Sequence, residues 1–100
     1  MTKKLNLQIN SNFSQFRTMN TYESTGWIDT ENAKLRYTPV KVLKSYSTIV
    51  ALIINGEVHE FGKYSTTTSK QVTIWERANG CNRADRVYHP NRIEQEFNLI

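Results

Sequence analysis

Six consecutive apolar residues, Ile49-Val50-Ala51-Leu52-Ile53-Ile54, run directly into Asn55-Gly56. A strand that is apolar at every position has no face left for water, so it belongs in the middle of a sheet covered on both sides. Asn-Gly supplies the two positive φ values of a type I′ turn, which sends the chain back after two residues. That turn sets Ile53 opposite Val58 and Val50 opposite Phe61, and Gly62 then closes or bulges the returning strand. No other stretch restricts the fold as much: both faces of this hairpin need covering elements from the rest of the chain.

Leu5, Leu7 and Ile9 alternate with polar residues and predict a first strand. Residues 11–26 fit two readings, because Phe13, Phe16 and Met19 stand at helical spacing among Asn, Thr and Ser that suit a loop. Trp27-Ile28, the polar Asp29-Thr30-Glu31-Asn32 and the alternating Ala33, Leu35 and Tyr37 suggest a hairpin that Pro39 ends. Val40 to Ile54 reads as two strands or one long bent one. Val72, Trp75 and Ala78 lie three apart and predict a helix ending at Asn79-Gly80. Pro90 fits the first turn of a last helix whose Ile93, Phe97 and Ile100 form one stripe. The expected fold is a single α+β domain over residues 1–100, an antiparallel sheet of four to five strands with one or two helices packed on it.

Composition limits the function classes. Cys81 is the only cysteine, so no intramolecular disulfide and no cysteine-cluster metal site can form, and a reducing compartment is expected. No apolar run is long enough for a bilayer, which places the chain in the cytoplasm rather than in a membrane. Two histidines without ligand spacing predict no metal. A phosphate-binding loop needs glycines ahead of a Gly-Lys-Ser/Thr ending, whereas here Lys70 follows Ser69 and the nearby glycine is Gly62. Cys81 and His89 are the residue types of a thiol enzyme, but a lone cysteine after a helix end is more often a bystander. Glu94 and Glu96, two apart on a helix, point about 200° away from each other and do not make an acid/base pair. No catalysis and no cofactor are expected.

Two stretches remain as binding candidates. Thr68-Ser69-Lys70-Gln71 matches a capping box, with the Thr68 hydroxyl and the Gln71 side chain satisfying each other's backbone N–H groups. Lys70 is not explained by that box: a cation in the first helical turn opposes the macrodipole, and with the hydroxyls it offers a seat for a phosphate or carboxylate. Lys34, Arg36, Lys41 and Lys44 form a positive segment without an acid between Ala33 and Tyr46, and the net charge of +4 leans the same way, toward polyanionic partners. If Lys34 and Arg36 project opposite Ala33, Leu35 and Tyr37, Lys41 and Lys44 can join them, with Tyr46 or Tyr37 as a stacking surface. That is the composition of a single-stranded nucleic-acid platform, and equally of an ordinary solvated sheet or protected edge.

Ser45-Tyr46-Ser47-Thr48-Ile49-Val50-Ala51, then Gly56, then Gly62-Lys63-Tyr64-Ser65-Thr66-Thr67-Thr68-Ser69-Lys70, resembles an uncharacterised domain of small proteins encoded by phages of Gram-positive bacteria. The pattern is near SYxTxVA…G…YSxTTSK followed by a helix; Gln71 stands where the pattern commonly has histidine. The resemblance implies a phage origin rather than an activity. Small non-enzymatic phage proteins commonly act by binding, so the expected function is an accessory or anti-defence protein, anti-CRISPR-like in its mode of action. It would bind a host protein or nucleoprotein in the host cytoplasm. The alternative is direct nucleic-acid binding through the basic sheet face. A positive chain is a poor mimic of DNA.

Overall fold

The computed structural model describes residues 5–17, 20–29, 37–62 and 66–99. Along the chain lie β1 (Leu5–Ile9), β2 (Ser14–Gln15), β3 (Thr21–Asp29), β4 (Thr38–Ser45), β5 (Thr48–Ile54), β6 (Glu57–Phe61) and α1 (Thr66–Ala78). A 3-10 turn at Arg83–Asp85 follows, then β7 (Val87–His89), α2 (Ile93–Glu96) and β8 (Phe97–Leu99). The strands form one sheet in the order β7-β6-β5-β4-β3-β1-β8, with β2 also paired to β3. β7 is parallel to β6 and β8 is parallel to β1, while the remaining pairs are antiparallel.

This corrects the expected antiparallel sheet of four to five strands: among the described residues the sheet has eight strands, is mixed, and curls into a half-barrel. The hairpins were the visible part. β7 returns beside β6 only after the α1 crossover, and β8 joins the two ends of the chain. Parallel pairing of this kind leaves no turn signal.

Asn55 and Gly56 have φ values of +52° and +78°, and the turn sets Ile53 opposite Val58 as expected. On the other side of β5 the register shifts: Leu43 pairs with Ala51 but Lys44 with Ile49, so Val50 is the extra residue of a bulge. Val50 and Ala51 therefore both join the outer core under α1, with Leu43, Ile53, Val58, Val72 and Trp75, while Phe61 belongs to the opposite side. The inner core holds Leu7, Ile28, Val40, Val42, Leu52, Phe61 and Ile93. Phe61 of β6 meets Phe97 of β8 edge-on at 6.0 Å, although the two strands stand near opposite ends of the sheet order. That contact closes the curl.

Three local readings also change. Pro39 does not end a hairpin but pairs with Trp27 inside β4; the β4–β5 ladder starts one residue later, at Val40, so its missing N–H removes no bond there. Tyr37 is a turn residue at φ +62°, while Ala33 and Leu35 lie outside the described residues. The last helix is a single turn, since Phe97 leaves it to pair with Leu5, and Ile100 lies outside the described residues. A stripe at helical spacing gave way to strand pairing with the first strand of the chain.

The end of α1 is as the sequence predicts. Gly80 is left-handed, Cys81 N–H bonds the Glu76 carbonyl at 3.0 Å and Gly80 N–H bonds that of Arg77 at 3.1 Å, a Schellman pair. Its start differs. The helix begins at Thr66, so Thr68 lies inside the first turn and is no cap. Thr68 and Gln71 instead turn toward Ser45 on β4, whose hydroxyl donates to Gln71 Oε1 at 2.7 Å and lies 3.4 Å from Thr68 Oγ1. Residues at i and i+3 share a helix face, and here that face is buried.

Candidate partner-binding face

Helix α1 packs on the outer side of the sheet over Leu43, Ala51 and Val58, and the sheet beyond its C-terminal end stays open. Alternation along β3, unbroken through its register with β4, puts Glu23, Thr25 and Trp27 on that side, opposite Leu43, Lys41 and Pro39. The registers extend these pairs into two neighbouring rows, Gln8–Trp27–Pro39 and Thr25–Lys41–Ile53–Val58. Thr25, Trp27, Pro39 and Lys41 are exposed, Trp27 to 42%. Trp75, the other tryptophan, is fully buried on the sheet-facing side of α1.

Three open clefts meet at Lys41. One of about 330 Å³ lies between Lys41, Glu23 and the Asn10–Ser14 segment. A second, about 390 Å³, lies between Lys41, Arg17 and Asn79. The third, about 400 Å³, is largely apolar and runs over Pro39, Val40 and Ile53 to the Asn55-Gly56 turn. Lys41 Nζ donates to Asn79 Oδ1, and Asn79 Nδ2 donates to the Trp75 carbonyl at 2.8 Å. The cation thus stands at the negative end of the helix, where the macrodipole favours it. Glu23 Oε1 accepts from the Trp75 indole N–H at 3.4 Å. The face offers a flat aromatic surface, an ammonium, amides and hydroxyls, a set suited to recognition.

The predicted binding residues do not share this face. Lys41 is on it. Lys44 points to the opposite side of the sheet, its Nζ 4.1 Å from the Phe13 ring centroid and 5.6 Å from that of Tyr22. Tyr46 is exposed in the β4–β5 turn at φ +56°, next to Ser45 and hence near the N-terminal half of α1. Lys70 is exposed in the second turn of α1 rather than the first, which removes the geometric basis of the anion seat. Lys34 and Arg36 lie outside the described residues. A basic face shared by Lys41 and Lys44 is therefore not formed.

Sequence reasoning missed Trp27, Glu23 and Asn79 as parts of one surface. The signal was faint: the outward positions of β3 read Glu, Thr, Trp and the inward ones Tyr, Ser, Gly, Ile, so neither side is uniformly apolar.

The buried charges have a structural role. Arg86 grips Glu76 through Nε at 3.0 Å and Nη2 at 2.8 Å, and reaches Glu60 through Nη1 at 3.2 Å. The bond to Glu76, with both carboxylates close by, raises the guanidinium pKa further and keeps it charged. Cys81 packs against the outer core, where burial pushes its thiol up; His89 stacks on Phe61 of the inner core. Among the described residues, no three His, Cys, Asp or Glu side chains come close enough to hold a metal ion. No helix among them is long and apolar enough to cross a membrane.

Fold and face together define a small mixed-sheet domain that presents an open surface beside α1. Residues 8–90 match the family of unknown function DUF8033, and the chain belongs to that family. No curated protein and no solved structure matches the chain.

Proposed function

We propose that this chain is a small non-catalytic accessory protein that docks its open outer face on a host protein or nucleoprotein. The setting is the phage and anti-defence one implied by the Ser45–Lys70 pattern, in the host cytoplasm. One observation carries the reading: Trp27 is held out in water on a central strand, on the same face as Lys41 and beside the apolar cleft over Pro39 and Ile53. An exposed tryptophan next to an apolar floor with a polar rim is what binding hot spots are made of. Occupying a partner's nucleic-acid-contacting surface would make such a protein an inhibitor.

A second reading, direct binding of single-stranded nucleic acid, is favoured by the same pairing of an indole for stacking with an ammonium for phosphate. It ranks lower because Lys44 and Lys70 stand elsewhere and Glu23 sits within the face. A pull-down from host lysate with and without nuclease, beside gel shifts on single- and double-stranded DNA and RNA across salt, separates the two. Nuclease-resistant capture that Trp27→Ala abolishes supports the first reading. Tight, salt-steep oligonucleotide binding without a protein partner supports the second. Capture that ignores Trp27, with no oligonucleotide binding, rejects both.

A further inference from the structure

The chain has two histidines, and the fold brings them together. β6 and β7 run parallel with His59 opposite Val87 and Phe61 opposite His89, so the two imidazoles are diagonal neighbours on the inner face. Nδ1 of His59 and Nε2 of His89 are 3.0 Å apart. The ring centroids are 5.2 Å apart and the ring planes differ by 19°, the geometry of two imidazoles joined end to end by one N–H···N bond. His89 also stacks on Phe61 at 4.5 Å and 7°, and Phe61 meets Phe97 of β8. His89 thus sits between His59 and Phe61 in a chain of rings that Phe61 carries on to Phe97 of β8.

We propose that the His59–His89 pair is an acid-released latch that holds β7, and with it the seam of the half-barrel, in place. An N–H···N bond needs one nitrogen without a proton. The neutral pair satisfies this, and so does the singly protonated pair, in which an imidazolium donates to a neutral ring. A second proton turns the bond into two N–H groups and two positive charges facing each other at 3.0 Å. Burial of His59 and the charge of His89 resist that proton and hold His59 below the usual histidine value, while Glu57 on the same strand pulls the other way. The neighbours from the adjoining strands, Leu52 of β5 and Phe97 of β8, are uncharged. Arg86 fastens the start of this segment to Glu76 and Glu60 without a histidine, so acid frees only the far end, Val87–His89 with the Gly62 N–H to His89 carbonyl bond. β7 is a three-residue strand at the sheet edge, paired among the described residues to β6.

The test is an NMR titration of the full chain from about pH 7.5 to about pH 5, following both imidazoles and the amide exchange of residues 87–89. His59 is expected to take up its proton below the ordinary value of about 6.5. As the second proton binds, β7 amide protection should fall about tenfold or more, corrected for intrinsic exchange, while the amides around Trp75 keep theirs. In His59→Gln, which cannot gather two charges, β7 protection should persist across the range. Retention of β7 protection through the titration of His59 in the unaltered chain overturns the proposal, as does an equal loss in His59→Gln.

Discussion

Lys41 and Lys44, three residues apart on β4, stand on opposite faces of the sheet: Lys41 meets Asn79 at the end of α1, and Lys44 lies over Phe13. The odd spacing on a strand forces this separation. It divides what looked like one basic segment into a residue on the open face and a residue packed on aromatic rings.

Single substitutions should therefore separate the two roles. Lys44→Ala is expected to lower stability by about 0.5–1 kcal/mol through loss of the cation–π contact and to leave partner capture unchanged. Lys41→Ala is expected to change stability by less than about 0.5 kcal/mol and to weaken capture. Urea denaturation beside quantitative pull-down checks both, and equal binding loss in the two variants would speak against the open face.

Glu76 is almost fully buried, and its carboxylate is held by two donors from Arg86. Removing the guanidinium leaves that charge without its partner, which costs about 3–5 kcal/mol in comparable sites. Arg86→Met should accordingly unfold at much lower urea, and Arg86→Lys, which keeps the charge but not the two-pronged grip, should fall between.

At Gly26 an added Cβ would come within 2.1 Å of the Gln8 carbonyl oxygen on the paired strand β1. The obstacle is backbone, so it cannot turn aside. Gly26→Ala is expected to destabilise by about 1–3 kcal/mol, with faster amide exchange along β1 as the specific signature.

Ser45 ties the sheet to the first turns of α1 through Gln71 and Thr68. Ser45→Ala removes the hydroxyl that donates to buried Gln71 Oε1 and should cost about 1–3 kcal/mol, whereas Ser47→Ala, at an exposed position, should stay within about 0.5 kcal/mol. Equal effects in thermal melts would contradict this account of the hydroxyl run.

Local pattern carried the β5–β6 hairpin, the first strand and the end of α1, because each is encoded within a few adjacent residues: Asn55-Gly56, the alternation from Leu5 to Ile9, and Asn79-Gly80. What it could not show depends on pairing across the chain. Phe97-Asn98-Leu99 becomes a strand only because Leu5–Leu7 lies beside it, and Val50 faces α1 only because the β4 register slips at Lys44. The site follows the same rule. Lys41 was legible as a cation, but its companionship with Trp27, Glu23 and Asn79 is a product of register and helix placement.

Site-specific photocrosslinking in host cells tests the open face most directly as the partner surface. A photoreactive residue replaces exposed Thr25, between Trp27 and Lys41 in the register, or, in a second variant, exposed Tyr88 on the edge strand β7. The expected result is a discrete covalent adduct from position 25 that disappears when Trp27→Ala is added, and none from position 88. An adduct from position 88 with none from position 25 would contradict the assignment of partner binding to this face.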